Sequence, residues 1–238
     1  MDTMLTQASE MVTVGLAQRP GTESPCADGA DFQRRGSRVC AVVVDGAGHG
    51  AEVVRYVATV PAVITQMGMV EGCLAGLVTG GRMAYAYDVP PHASAVYASV
   101  EPGRPSAVHW IGDARAYGYG NGELTLWSTD MTMGIYLCGR RGYAPELVEE
   151  YDDYARLGLA QAGWATCRLV EIPEEIPLLL LVSDGVSDHV DQGTWKRLCH
   201  LHETDPQALA DALVAAAEED ADGYRDDCTV IAMRRRTP

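Results

Sequence analysis

The sequence has few basic residues and no regularly spaced cysteines. Only 18 lysines and arginines are present beside 33 aspartates and glutamates among 238 residues, which gives a net charge of −15. A field of this sign repels nucleic acids and anionic membrane surfaces, so we expect neither as a partner. The seven cysteines are odd in number and none forms a Cys-x-x-Cys pair. This disfavours both a disulfide framework and a zinc ribbon.

Long apolar runs are also missing. No run approaches the roughly 20 residues that a membrane helix needs, and the first residues lack the basic start of a signal peptide. We therefore predict a cytoplasmic protein. Apolar residues still make up 47% of the chain, which is enough for a sizeable core. The length fits one large domain over residues 1–238. Nothing in the sequence requires a dimer, so we expect a monomer.

The apolar pattern predicts many short strands, with helices grouped between them. Helices are expected at 51–67, at 72–87 and, after a cap at Asp205 or Thr204, at 206–219. Asn121-Gly122 is the strongest hairpin signal. Strands are expected at 11–16, 39–44, 94–99, 106–111, 114–119, 123–128, 166–172, 178–182 and 229–233. This arrangement favours an α+β fold built in layers.

Two segments lack a clean period. The polar residues between the first two predicted strands are rich in Gly, Pro and Arg, which indicates an exposed loop. The segment 135–165 mixes Gly, Arg, Glu and Tyr. We predict that it forms an irregular insertion or a flap over a site.

Acidic residues follow two of the most apolar runs. Asp45-Gly46 comes after Val42–Val44, and Asp184-Gly185 comes shortly after Leu178–Val182. An Asp-Gly pair alone is more often a turn than a site. Several carboxylates gathered in one cleft would repel one another unless a cation kept them ionised. Oxygen ligands without a His or Cys cluster favour Mg²⁺ or Mn²⁺ over Zn²⁺. The four acidic candidates are Glu23, Asp45, Asp184 and Asp226.

Five short segments carry a family pattern. They are Arg19–Glu23, Asp45–Gly50, Gly112–Tyr117, Ser183–Asp188 and Asp226–Val230. In this order they resemble Arg-x-x-x-Glu, Asp-Gly-x-Gly-Gly, Gly-Asp-Ser-Arg-x-Tyr, Ser-Asp-Gly-x-x-Asp and Asp-Asn-x-Thr-Val of the metal-dependent Ser/Thr protein phosphatases of the PPM (PP2C) family, bacterial branch. The matches extend over most of the chain. Any one could arise by chance, whereas five in order hardly could.

The resemblance implies a four-layer α-β-β-α sandwich, in which helices flank two antiparallel sheets and a binuclear metal site lies at one end. It also implies the ligands of two Mn²⁺ or Mg²⁺ ions. Asp45 would bridge the ions, Glu23 and the Gly46 carbonyl would hold one of them, and Asp184 and Asp226 would hold the other. Such a pair lowers the pKa of a bridging water, which then attacks the phosphorus.

Two further roles follow from the resemblance. Asp113 would offer, with Asp184, a weaker third metal position, although an Asp at that point also suits a hairpin turn. Arg19 would bind the substrate phosphate, because a planar guanidinium can donate two parallel hydrogen bonds to two oxygens. We expect Arg115 to form a structural ion pair. His49 is either a proton donor or a histidine that is solvated or lies at a helix start.

The chain departs from the family pattern at several positions. Ser24 replaces an Asp, Met131 replaces a His, and the order Ala47-Gly48-His49-Gly50 shifts the histidine. Asp227 replaces an Asn, and this extra acid either tightens metal binding or faces solvent.

The expected function is metal-dependent hydrolysis of phosphoserine and phosphothreonine in proteins, in opposition to a Ser/Thr kinase. Two alternatives stay open. One is a pseudophosphatase, a binding module without turnover. The other is a regulatory phosphatase of narrow specificity, acting on a phosphoprotein of the anti-sigma-factor-antagonist type.

Overall fold

Two five-stranded antiparallel sheets pack face to face. The structure, a computed structural model, describes residues 11–138 and 154–236. One sheet has the strand order β1-β10-β9-β6-β7 and the other has the order β2-β3-β4-β5-β8. The strands are β1 Val12–Arg19, β2 Asp28–Arg35, β3 Arg38–Gly46, β4 Ala93–Val100, β5 Ser106–Ile111, β6 Arg115–Gly120, β7 Glu123–Leu126, β8 Arg168–Ile172, β9 Leu178–Val182 and β10 Cys228–Arg235.

Helices cover the outer face of each sheet. They are α1 Ala51–Glu71, α2 Cys73–Met83, α3 Met133–Cys138, α4 Asp184–Ser187, α5 Gln192–Leu201 and α6 Pro206–Ala216, with 3₁₀ turns at Ala84–Ala86 and Leu159–Gln161. The first pair packs on the sheet that contains β3, and α6 packs on β1 and β10 of the other sheet. The four-layer α-β-β-α sandwich predicted from the sequence is therefore confirmed.

Strand β9 shows why the sequence contains its longest apolar run. Leu179 and Leu181 belong to the core between the two sheets, whereas Leu178, Leu180 and Val182 belong to the core beneath α5 and α6. A strand that is covered on both faces needs apolar residues at successive positions, because neighbouring side chains point to opposite faces. All five of these residues are buried. The strand thus fixes the segment that follows it, where Asp184 begins α4.

Helix α1 combines a buried face with an unusually apolar composition. By length and mean hydropathy it is long and apolar enough to cross a membrane. This corrects the expectation that no segment meets those criteria. In this fold Tyr56, Val60 and Ile64 are fully buried, and the helix packs against β2 and β3. Such burial is typical of a core helix of a globular protein.

The segment between the first two predicted strands is not only a loop. Asp28–Arg35 forms strand β2, which pairs along its whole length with the apolar strand β3. Its sequence, DGADFQRR, contains few residues with high strand propensity. Because β2 is an edge strand, half of its residues can remain polar, and its pairing depends on β3.

Other local predictions have mixed outcomes. The Asn121-Gly122 hairpin is confirmed, since both residues have positive φ angles, 53° and 78°. The cap of α6 is Asp205, whose side chain accepts a hydrogen bond from the Ala208 N–H. Helix α5 was not predicted. Residues 139–153 of the predicted flap lie outside the described residues, so the flap and the single domain both stay predictions.

Candidate active site

A cavity of about 420 Å³ lies at one end of the sandwich. Strand registers explain its position, because Gly46 at the end of β3 pairs with Ala93, and Val182 at the end of β9 pairs with both Val230 and Arg115. Loops from both sheets therefore meet at this end. The acidic residues that line the cavity are Glu23, Asp45, Asp113, Asp184 and Asp226. The fold thus brings together all five acids predicted from the sequence, and Gly46 lines the same cavity.

Asp45 and Asp184 are in direct contact. The Asp184 N–H donates to Oδ2 of Asp45 over 3.3 Å. Burial raises the pKa of Asp45 well above its ordinary value, and the negative charges of Asp28 and Asp113 raise it further. Burial also raises the pKa of Asp184, as do the charges of Asp45 and Asp113. Both shifts favour the protonated carboxyl groups, whereas a bound cation would favour the charged forms.

Asp113 is held by a hydroxyl group on the neighbouring strand. Ser94 Oγ donates to Oδ1 of Asp113 over 2.5 Å. The Asp113 N–H in turn donates to Ser94 Oγ over 3.3 Å. Gly112, directly before it, has φ +89°, and a Cβ there would lie 2.0 Å from Ser94 Oγ. The residue is therefore in a bend between β5 and β6, and its carboxylate lines the cavity. The predicted hairpin is wrong, because β5 and β6 belong to different sheets. Burial raises its pKa, which the Ser94 hydrogen bond partly opposes.

Glu23 lies on the loop between β1 and β2 and is 65% exposed at its side chain. Its Oε2 is 3.5 Å from Nε2 of His49, and Nδ1 of His49 is 3.0 Å from the Pro25 carbonyl oxygen. His49 is thus held by the same loop that carries Glu23, and only 18% of its side chain is exposed. His49 lies directly before the N-cap residue of α1, as the helix-start alternative predicted, although its side chain is mostly shielded from solvent. Its role as a proton donor stays a prediction.

Asp226 lies directly before β10. Its N–H points to Nε2 of His189 over 3.4 Å, while Nδ1 of His189 is 2.9 Å from the Glu218 carbonyl oxygen. A neutral imidazole with its proton on Nδ1 satisfies both contacts. His189 therefore supports the backbone of one predicted ligand from a position that the sequence did not reveal.

Arg19 does not line the cavity. Its Nη1 donates to the carbonyl oxygens of Val214, Ala215 and Ala217, at the carboxyl end of α6. A cation at this end of a helix is stabilised by the unpaired carbonyl groups. In this structure Arg19 is therefore a helix cap, and the phosphate-binding role predicted for it has no geometric support.

Arg115 forms the structural ion pair that was predicted. Its Nε and Nη2 donate to the Asp130 carboxylate over 2.8 to 3.1 Å, and its Nη1 donates to Asp188 Oδ1 and Ser187 Oγ over 2.5 Å. These bonds link β6 to the short helix α4, whose first residue is Asp184. Arg115 thus connects the wall of the cavity to the adjacent sheet.

Sequence reasoning missed several residues of the site. Asp28 lies opposite Asp45 in the β2–β3 register and is only 8% exposed. It stands in an Asp-Gly pair, the same signal that marked Asp45, but the segment was interpreted as a loop. His92, Tyr154 and Tyr224 also line the cavity, and no motif indicated them.

The donor set fits hard divalent cations. All five acids offer carboxylate oxygens, the ligands that Mg²⁺ and Mn²⁺ prefer. Among the described residues, one group of three potential ligands lies within 4.8 Å of one another, namely His49, Asp226 and Asp227. Burial and neighbouring negative charges raise the pKa values of Asp45 and Asp184, and a bound cation would favour their charged forms.

Comparison with known proteins shows the fold. No known protein family's sequence profile matches the chain, and no curated protein sequence matches it. A solved bacterial serine phosphatase has a TM-score of 0.76 and 17% identity, with 95% of this chain and 99% of that chain covered. The Mycobacterium tuberculosis serine/threonine phosphatase PstP/Ppp has a TM-score of 0.71 and 20% identity, over 94% and 99%. Staphylococcus aureus Stp1, a serine/threonine phosphatase, has a TM-score of 0.76 and 16% identity, over 95% and 96%.

Proposed function

We propose that this protein is a Mn²⁺- or Mg²⁺-dependent phosphatase that hydrolyses phosphoserine and phosphothreonine in proteins. One observation carries the proposal: five carboxylates from five separate segments of the chain line one cavity, at the end of a sandwich that resembles solved Ser/Thr phosphatases. No structural need of the fold explains such a concentration of acids around one cavity. A site for hard cations does explain it.

The residues have separate roles in this proposal. Asp45 would be shared by two cations, with Glu23 and the Gly46 carbonyl on one and Asp184 and Asp226 on the other. When bound, such a pair activates water and neutralises the charge that develops on a phosphoryl group. Asp113, fixed by Ser94, would support a third and weaker position. This chemistry needs no nucleophilic side chain from the protein.

Recognition of the phosphate would depend on the cations more than on side chains. Among the described residues that line the cavity there is no lysine or arginine. The loop Gly46–Gly50 leads into α1, whose N-cap residue Gly50 has no side chain that could accept from the first N–H groups of the helix. An uncapped helix start favours anions, so this end of α1 is compatible with a phosphate. His49, held by Pro25 and Glu23 beside the acids, is the candidate proton donor to the departing serine or threonine oxygen.

The biological setting is part of the same proposal. Substrates would be phosphoproteins made by a Ser/Thr kinase, and we propose that the enzyme acts in the cytoplasm as a monomer. A regulatory phosphatase of narrow specificity would use the same site and differ only in its substrate.

Hydrolysis assays test the proposal. p-Nitrophenyl phosphate and a phosphothreonine peptide should both be hydrolysed with Mn²⁺ or Mg²⁺ and not with EDTA. Asp184→Asn should lower kcat/KM by at least about 100-fold, because a lost carboxylate weakens the metal site directly. Asp211→Asn, an exposed change on α6 outside the cavity, is the matched control and should retain full activity.

Two results would contradict the proposal. Equal rates with metal and with EDTA would exclude the metal-dependent mechanism. Binding of two cations without turnover of either substrate would favour the binding-module alternative, which the intact set of five acids does not favour.

A further inference from the structure

Asp227 joins the two ends of the loop that carries Glu23. The N–H of Gly21 donates to its Oδ1, and the N–H of Ala27 donates to its Oδ2, each over 2.6 Å. These two donors lie on either side of Glu23, and Asp227 itself lies directly after Asp226. One carboxylate thus closes the Glu23 loop against the strand end that presents another predicted ligand.

Of the two roles predicted for Asp227, orientation towards solvent is wrong, whereas an effect on metal binding stays a prediction. Only 3% of the residue is exposed, so it does not face solvent. Each of its oxygens already accepts a short backbone hydrogen bond, and such charge-assisted bonds are among the strongest in proteins. Nδ1 of His49 also lies 3.8 Å from Oδ2 of Asp227. The carboxylate is therefore committed to the loop and to its surroundings.

Neighbouring contacts align the same two segments. The Thr22 N–H donates to the Arg225 carbonyl oxygen over 2.9 Å, and the Arg225 guanidinium donates to the Pro20 carbonyl oxygen over 2.8 Å. A Cβ on Gly21 would lie 2.6 Å from the Arg225 carbonyl oxygen, so glycine allows this close approach. Glu23, in contrast, has a largely exposed side chain, whose Oε2 lies 3.5 Å from Nε2 of His49. Its position depends on the backbone on either side.

We propose that Asp227 is a positioning residue that shapes the Glu23 loop before a cation binds. An asparagine could not do this, because it offers one acceptor oxygen and would turn an NH₂ group towards the second N–H donor. The aspartate at this position is thus a requirement of the two-donor geometry. The inference rests on the proposed function only in so far as Glu23 is taken as a cation ligand.

Calorimetric titration of Mn²⁺ into the metal-free full chain tests the inference without any substrate. Asp227→Asn should weaken Mn²⁺ binding about 10- to 100-fold, the range found when a group that orients a metal ligand is lost. Glu23→Gln should weaken the same binding step. The double variant should bind no more than about threefold more weakly than Glu23→Gln alone, because Asp227 acts through Glu23. Asp31→Asn is the control, since Asp31 also accepts a side-chain hydrogen bond on β2 but does not line the cavity.

Several outcomes would overturn the inference. Unchanged Mn²⁺ affinity in Asp227→Asn or in Glu23→Gln would do so. The inference would also be overturned if Asp227→Asn lowered the Mn²⁺ affinity by the same factor in the Glu23→Gln variant as in the unaltered protein. That last result would assign Asp227 as a ligand in its own right.

Hydrogen exchange of the unaltered protein provides a second test, should Asp227→Asn fail to fold. The amides of Gly21 and Ala27 should be protected without metal, because Asp227 accepts from both. Exchange at the unprotected rate in EDTA would overturn the inference. If the unaltered chain bound no Mn²⁺, the proposed function would fail, whereas the exchange result would still decide whether Asp227 holds the loop.

Discussion

Asp28 and Asp45 lie directly opposite each other on the antiparallel strands β2 and β3. Asp28 accepts a hydrogen bond from Thr229 Oγ1 over 2.6 Å, whereas Asp45 lines the cavity. Burial raises the pKa of both carboxyl groups well above the ordinary value, and Asp28 raises that of Asp45 further. Without a cation the folded protein therefore contains acids that resist ionisation.

We predict that the metal-free protein becomes less stable as the pH rises. A carboxyl group whose pKa is raised on folding binds its proton more tightly in the folded state, so stability falls from about pH 4 upwards until the raised pKa is passed. In EDTA the melting temperature should be several degrees lower at pH 7.5 than at pH 5.5. Differential scanning fluorimetry measures this, and added Mn²⁺ should restore stability at pH 7.5 because it binds only the folded site.

Asp28→Asn separates the buried pair from other titrating groups. This variant should show a flatter dependence of melting temperature on pH, because one of the coupled acids is gone, whereas Asp211→Asn should retain the full slope. A melting temperature in EDTA that stays constant or rises between pH 5.5 and 7.5 would contradict the prediction that ionisation of these acids destabilises the folded protein.

Arg19 should contribute to stability more than to catalysis. Its three carbonyl partners at the end of α6 predict that Arg19→Ala costs about 1–2 kcal/mol of unfolding free energy, the range for charge-assisted hydrogen bonds and helix capping. Thermal unfolding should show a melting temperature about 3–6 °C lower. KM for p-nitrophenyl phosphate should change less than about threefold. Arg35→Ala is the control, because Arg35 is an exposed arginine at the carboxyl end of β2. A large increase in KM without loss of stability would instead support phosphate binding by Arg19.

Local patterns predicted most strands and helices well, whereas the four-layer arrangement was implied by the family resemblance. Apolar runs marked β3 and β9, and the hairpin at Asn121-Gly122 needed only the conformational freedom of those two residues. Strand β2 could not be predicted in the same way, since its polar sequence becomes a strand only through pairing with β3. Asp28 was missed for this reason, although it is a direct neighbour of Asp45.

The candidate site shows a similar division. The resemblance to the family motifs identified all five acids that line the cavity, because each acid stands within a short motif that is recognisable in the sequence. The hydrogen-bond partners of Arg19 and Asp227 could not be predicted from the sequence. Both depend on backbone groups far away in the sequence, carbonyls of α6 for Arg19 and amides of the β1–β2 loop for Asp227.

Arg115 should be a major contributor to stability. Its side chain is 19% exposed and that of Asp130 is 15% exposed, so the ion pair is largely shielded from water. Loss of one partner from such a pair leaves an uncompensated buried charge. Arg115→Ala should cost about 3–5 kcal/mol and lower the melting temperature by roughly 10 °C.

Arg115→Lys tests the geometry of the pair separately from its charge. Lysine keeps the charge but cannot donate in parallel to both Asp130 oxygens. Arg115→Lys should therefore lower the free energy of unfolding by less than Arg115→Ala does. Urea titration measures both variants. The double variant Arg115→Ala with Asp130→Asn should be less destabilised than the sum of the two single changes, since the two groups interact. Strict additivity would show that the pair contributes no coupling energy.

Ser94 should control how readily Asp113 accepts a cation. The Ser94 hydroxyl donates to the Asp113 carboxylate and lowers its pKa, in opposition to burial. In Ser94→Ala the pKa of Asp113 should therefore rise further, and protons should compete more strongly with Mn²⁺. We expect the Mn²⁺ concentration for half-maximal hydrolysis to increase about tenfold or more, with a larger shift at pH 6.5 than at pH 8, and kcat to recover at saturating metal. Ser99→Ala, which alters a hydroxyl at the far end of β4, should leave the metal dependence unchanged. An equal shift at both pH values, or a kcat that excess Mn²⁺ does not restore, would mean that Ser94 acts on the fold and not through the charge of Asp113.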